Sequence, residues 1–298
     1  DNAGENALEA LEMAHDIEAD NPHIIWRLAR LSNWDTEAEH YFRAEELGAS
    51  GASYIYSMGE FLSANSDLDR AIPYWESYVR YTEQETYFWY QAVWYLMESL
   101  IFSDNATTAY EYLLELDIAS TANNAEIFAH MAFIAYHAGE FEAAQEWVNA
   151  SLAFPSPNEG EEVNPDTNAA RFVQAYLAYW QDGEPDEAIE QLEILAEEDA
   201  FHRFIQFSPQ ADAYLEAARI LVDSDRDDDA LAYYDLTIEA NGGLPFVYEE
   251  RADVYLELDD IEAAREDLQS AMWIESDPDL QAYYRDRMIE LGPAETEE

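Results

Sequence analysis

Tyr214 and Tyr248, Ala218 and Ala252, and Ala230 and Ala264 each recur 34 residues apart, in two units that abut without a gap. A period of that length marks stacked helix-turn-helix repeats rather than one closed core, because each unit is too small to bury its own apolar face and is completed by its neighbour. Such a chain works by offering an extended surface. The spacing says much less about what meets that surface.

Each unit reads as an apolar helix A, a short turn and a helix B entered near an Ala. The turns fall at Ser66-Asp67, Asp104-Asn105, Gly139-Glu140, Gly183-Glu184-Pro185, Asp225 to Asp229 and Asp259-Asp260, residues that stop one helix and cap the next. Pro185 suits a first helical position. The unit from Ala125, AEIFAHMAFIAYHAGEFEAAQEWVNASLAFPSP, is the clearest. It resembles the tetratricopeptide repeat, with Phe128, Ala132, Gly139, Phe141, Ala144 and Ser151 at positions four, eight, fifteen, seventeen, twenty and twenty-seven of that pattern. Small residues let antiparallel helices approach closely, while bulky ones fill the holes between units. The resemblance implies an all-α chain: an α-solenoid of tandem helix-turn-helix repeats forming a right-handed superhelix. Units are expected at about 22 to 48, 52 to 85, 90 to 123, 125 to 158, 169 to 202, 211 to 244 and 245 to 278. Tyr176 and Met97 depart from the pattern at the small position eight, Pro73 falls inside a helix B, and the first unit needs a slip near Trp34.

Taken as a single solenoid, the chain is expected to have an unpaired B-type helix over 5–20 and a first repeat block over 22–158. A loop follows over 159–168, then a second block over 169–278, an unpaired A-type helix over 279–291 and an acidic tail over 292–298. Residues Pro155 to Asn168 are rich in Pro, Asn and Glu and read as a solvated loop. Phe201 to Gln210, FHRFIQFSPQ, is too apolar to hang in water and reads as local core, with a partner-binding hook as the alternative. The incomplete ends are either ordinary caps, which repeat arrays require, or halves of a repeat completed between copies. In the second case Leu8, Leu11, Tyr283, Tyr284 and Met288 would carry head-to-tail assembly into a filament or ring.

The chain carries 66 Asp plus Glu against 13 cationic side chains, all Arg, for a formal charge of -53. That excludes nucleic acid and anionic membrane as partners, since both need clustered cations. With 49% hydrophobic and 14% aromatic residues the chain can still bury a core. Salt near 1 M shortens the Debye length to about 3 Å and relieves the self-repulsion, so brine or abundant divalent cations is the natural medium. Loss of Lys with retention of Arg resembles proteins from halophiles, with loosely bound cations as possible partners. There is no Cys, hence no disulfide or thiolate site. No apolar run approaches the roughly 18 residues that span a bilayer. The chain begins at Asp1 without an initiator Met, consistent with a cleaved leader, a trimmed chain or a piece of a longer one.

The resemblance places helix A along the concave groove, and with it Trp94, Ile101, Phe102, Phe133, Tyr136, His137, Val173 and Trp180, flanked by Asp212, Asp253 and Glu257. An aromatic groove suits an amphipathic helix, an extended apolar peptide, another subunit's tail or sugar; the alternative is that these rings pack between helices. The Lys, Arg and Asn clamp by which some tetratricopeptide proteins hold a carboxylate is not expected in a chain without Lys. Asp223 to Asp229 alternates like a calcium loop, yet Asp228 stands where Gly is needed and Tyr234 where Glu is needed, so a solvated turn is favoured. His130 and His137 are the one His pair at helical spacing and do not make a zinc site. Asn105 and Asn149 open N-glycosylation triplets that also arise by chance. No cofactor motif or nucleophile motif occurs. The expected function is a non-catalytic protein-interaction or structural scaffold, self-assembling in one version and a peptide- or glycan-binding adaptor in the other. The expected location is extracellular or at the cell surface, with the cytoplasm of a salt-accumulating halophile as the alternative.

Overall fold

The computed structural model describes residues 2–31, 34–83, 86–121, 124–155, 164–181, 183–202 and 208–292. Among these residues the chain is helix and turn. The helices are α1 (Asn2–Ile17), α2 (Pro22–Ala29), α3 (Trp34–Glu46), α4 (Ala52–Ala64), α5 (Leu68–Tyr81), α6 (Tyr87–Phe102), α7 (Ala106–Glu115) and α8 (Ile118–Thr121). They continue with α9 (Ala125–His137), α10 (Phe141–Leu152), α11 (Asn168–Trp180), α12 (Pro185–Glu197), α13 (Pro209–Asp223), α14 (Asp227–Ala240), α15 (Pro245–Glu257), α16 (Ile261–Ile274) and α17 (Pro278–Glu290). Each expected repeat from residue 52 onward begins within about three residues of an observed helix A.

The turn between paired helices has one construction. A residue in the left-handed region ends helix A, namely Ser66, Asp104, Gly139, Gly183, Asp225 or Asp259. The next amide then reaches back to satisfy a carbonyl of the last turn: Asp67 N to Leu62 O, 2.9 Å, Glu140 N to Ala135 O, 2.8 Å, Arg226 N to Leu221 O, 2.9 Å, and Asp260 N to Tyr255 O, 2.8 Å. Gly takes this conformation freely, and Asp tolerates it because its short carboxylate bonds locally. That is why this chain can write its turns with acids.

The helices fall into two compact units, Asp1–Tyr112 and Leu113–Glu298. The sequence reading puts a loop at 159–168 between repeat blocks of a single solenoid. The stretch 156–163 lies outside the described residues, but its exit is not solvated loop: a single 3-10 turn, Pro165–Thr167, touches both α9 and α11, and Thr167 within it and the flanking Asn164 and Asn168 are buried. The Asn164 side chain donates to Pro155 O at 3.1 Å and accepts from Asp166 N at 3.0 Å, so burial leaves its amide satisfied. The division between the units falls within α7, after Tyr112; α7 is short, and Asp117 stands in the left-handed region between it and α8.

In unit 1 α4, α5 and α6 pack in succession, and in unit 2 α11 to α17 do the same. Helix crossings are made at small residues: Ala71, Ala144, Ala188, Ala230, Ala252 and Ala264 are fully buried. Gly59 fills the same role, since a Cβ there would stand 2.7 Å from the buried indole of Trp75. Met97 and Tyr176 are accommodated as buried side chains, and Pro73 lies within an unbroken α5.

Polar links tie neighbouring repeats. Tyr74 donates to Glu45, Tyr112 to Glu76, Tyr179 to Asp223, Tyr233 to Glu193 and Tyr283 to Glu249. In a chain without Lys, the Tyr hydroxyl is an abundant side-chain donor available to hold carboxylates. Arg251 forms a bidentate pair with Asp267, which is only 4% exposed, at 2.8 and 2.6 Å, and also bonds Asp235. One guanidinium thereby joins α14, α15 and α16.

At the ends, α1 packs on α2 with Leu8 and Leu11 half-buried and Met13 and Ile17 exposed. α17 packs on α16, and this corrects the sequence expectation for two residues. Tyr284 is buried in a cluster with Ala252, Ala264, Leu268 and Ala271, and Met288 packs against it, so both serve the core of their own unit rather than a free surface. The reason is that α17 follows the last hairpin as a further helix A and packs its apolar side on α15 and α16. Tyr283 remains exposed.

Candidate partner-binding cleft

Unit 2 contains two adjoining features on its A helices. The first is an aromatic layer. Phe133 stacks against His137 with ring centroids 4.4 Å apart and against His202 at 5.4 Å, His202 meets Phe172 at 4.9 Å, and Tyr136 meets Tyr176 at 5.1 Å. His137 is open to solvent, yet desolvation lowers its pKa to about 4. Burial, with a smaller contribution from His137, lowers His202 to about 3, and burial raises the Tyr136 and Tyr176 hydroxyls, with Glu216 adding to both.

The second feature is a cleft of about 540 Å³ formed by α11, α13, α14 and α15. Trp180, which is 51% exposed, and half-buried Val222 give it an apolar wall, Val254 and Tyr234 border it as buried side chains, and Asp223, Asp227, Glu250, Asp253 and Glu257 make it acidic. Arg219, the cation among its described lining residues, is already engaged. Arg219 donates from Nε and Nη2 to the two carboxylate oxygens of Glu250, at 3.1 and 2.7 Å, and from Nη1 to Glu216 at 2.8 Å. Burial works against the Arg219 charge, but Glu250 and Glu216 outweigh it and raise its pKa. Burial raises the Glu216 carboxyl, opposed by Arg219. Tyr234 completes the network by donating to Glu250 at 3.3 Å.

Of the residues expected to line a groove, the structure brings Trp180, Asp253 and Glu257 together in this cleft and sets Tyr136 and His137 in the aromatic layer. Trp94, Ile101, Phe133 and Val173 are corrected: all four are buried, packed between helices rather than presented to a partner. They face neighbouring helices because A helices in these units bury most of their circumference. Phe102 is half-buried in unit 1, and Asp212 accepts from Ser208 N at 3.1 Å near the start of α13. The segment Phe201 to Gln210 is described only at its ends, where Phe201 is exposed, His202 is buried and Ser208 caps α13; 203–207 lies outside the described residues.

Sequence reasoning missed Arg219, Val222, Tyr234, Glu250 and Val254. A signal existed: Glu216 and Glu250, Arg219 and Asp253, and Asp223 and Glu257 are each 34 apart, and within each helix they are spaced i, i+3, i+7. Among so many acids that line did not stand out. The Asp223 to Asp229 run is a helix-capping turn in which Arg226 pairs with Asp186 at 2.6 Å and Asp229 at 2.8 Å. Among the described residues no group of three or more His, Asp and Glu side chains is arranged to hold a metal ion, and no helix is long and apolar enough to cross a membrane. Asn105 is exposed in its turn and Asn149 is exposed on α10, but Ser151 of the second triplet is buried, donating to Ala125 O at 2.9 Å.

No family model matches the chain, and no curated protein matches it. Solved structures do. A tetratricopeptide repeat protein from Parabacteroides merdae superposes with a TM-score of 0.57 at 14% identity, over 95% of this chain and 99% of that one. Yeast Tom70 gives 0.56 at 12% identity, over 97% of this chain and 59% of that one. The Cut9-Hcn1 hetero-tetramer of the APC/C gives 0.51 at 12% identity, over 97% and 53%. The chain thus spans between half and three-fifths of the Tom70 and APC/C chains it matches. At these identities the likeness is one of fold, and the fold is the tetratricopeptide-repeat α-solenoid.

Proposed function

We propose that this protein is a non-catalytic interaction module that holds a segment of a partner polypeptide in the cleft of unit 2. The observation that carries the reading is the cleft itself: a half-exposed indole and half-buried Val222 set among carboxylates on consecutive A helices. Apolar walls with a few oriented polar groups are what a peptide site needs. The acids around it supply no isolated acid-base pair or nucleophile, which favours binding over turnover. The test is selection of peptides from a displayed random library against the full chain in roughly 1 M salt, where nonspecific charge attraction is screened. Selected peptides should lose about tenfold or more in affinity for Trp180→Ala, a change at an exposed site that leaves helicity intact. Failure to enrich any peptide, or binding indifferent to Trp180, would defeat the reading.

A homotypic version has its own support in the exposed Trp273, Leu280, Tyr283 and Ile289 of α16 and α17. Sedimentation velocity in high salt should then show oligomers that Trp273→Ser with Ile289→Ser disperses; a monomer at every concentration would remove it. We place the working medium at high ionic strength, at the cell exterior or in the cytoplasm of a salt-accumulating cell, on the charge balance alone.

A further inference from the structure

The acids of the cleft are not equivalent, and the difference bears on what enters it. Glu250 is taken by Arg219, Asp253 is bonded by Arg287, and Asp223 accepts from Tyr179. No hydrogen bond or ion pair from the described residues reaches Asp227 or Glu257. Two uncommitted carboxylates therefore share a concave wall with an exposed indole, in a space of about 540 Å³. Carboxylates beside an aromatic face favour a cation, and a guanidinium in particular, since its planar fork meets carboxylates edge-on while its face stacks on indole. The cleft already holds one guanidinium between carboxylates, Arg219 between Glu216 and Glu250. A negatively charged segment would meet net repulsion there.

Resting on the reading of this cleft as a peptide site, we propose that its occupant presents an arginine side chain, stacked on Trp180 and neutralised by Asp227 and Glu257, with an apolar neighbour of that arginine lying on Val222. The specificity is for an Arg-bearing segment with an aliphatic neighbour.

The experiment compares two rhodamine-labelled nonapeptides, alanine except for a central Leu-Arg-Leu or its uncharged Leu-citrulline-Leu isostere, by fluorescence anisotropy against the full chain in roughly 1 M NaCl, where a diffuse attraction to the acidic surface is screened within about 3 Å. The Arg peptide should bind about five- to tenfold more tightly than the citrulline peptide. Trp180→Ala, and separately the near-isosteric pair Asp227→Asn with Glu257→Gln, should each remove most of that preference; both sites are on the surface, and circular dichroism checks that the helices persist. Equal binding of the two peptides overturns the arginine assignment while leaving the cleft as a peptide site. Preference undiminished in either variant overturns it as well, because the charge is then being read elsewhere. If neither nonapeptide binds at about 1 mM protein, the proposal fails; the library selection decides separately whether the cleft binds peptides at all.

Discussion

Single residues in this chain are chosen by backbone conformation and by desolvation. Gly139, at φ +80° with nothing near its missing Cβ, is required by the turn and not by packing. Its Asp equivalents at 225 and 259 occupy the same conformation. The sequence showed these turns, because Gly, Asp and Asn punctuate helices in any context. It did not show the environment of His202, whose pKa depends on Phe133 and Phe172, residues far away in sequence. That environment has a consequence for pH. His202 is 7% exposed and its folded pKa is lowered to about 3, so the fold prefers the neutral ring and the unfolded chain, with a His pKa near 6.5, binds the proton first. The contribution is complete above pH 6.5 and is lost as pH falls toward the folded value. Between pH 6.5 and 5 one such site costs roughly 2 kcal/mol. Urea midpoints measured at fixed salt across that window should fall for the native chain and stay nearer level for His202→Phe. Equal slopes in both would show that another group governs acid sensitivity.

Helices here are specified by their crossing points more than by their apolar faces. The alanines at 144, 188, 230 and 264 lie at zero exposure, as the repeat pattern requires, and Gly59 shows how tight that approach becomes against Trp75. The groove-facing side of helix A was less legible. Periodicity places a residue on a helix face but not on the inner or outer side of a layer, which is why Trp94 and Phe133 proved buried while Trp180, near the end of its helix, is open. The polar ties between helices were invisible as well, since Arg251 and Asp267 are ordinary letters until α15 and α16 lie side by side. Removing the cation alone should be severe: Arg251→Met strands the buried Asp267 carboxylate and should cost about 3–5 kcal/mol in urea unfolding. Arg251→Met combined with Asp267→Leu should recover much of that loss. A single variant as stable as the native chain would mean the pair is not a structural tie.

For the molecule as a whole, charge governs behaviour in solution. A formal -53 on 298 residues, with 13 arginines set against 66 acids, leaves a surface that repels itself. Raising NaCl from about 0.1 M to 1 M shortens the Debye length from about 10 Å to 3 Å, and the thermal midpoint should rise by roughly 10 °C or more over that range. A flat or falling profile would show that the repulsion does not limit stability. By itself the sequence determined the all-α repeat architecture, the phase of nearly every helix, the turns and the charge, because each depends on residues within one or two repeats of one another. Only the tertiary structure decided which rings stay open, which acids are already spoken for and where a concave surface forms. Those properties belong to side chains from α11, α13, α14 and α15 brought together by stacking, and no single stretch of sequence contains them.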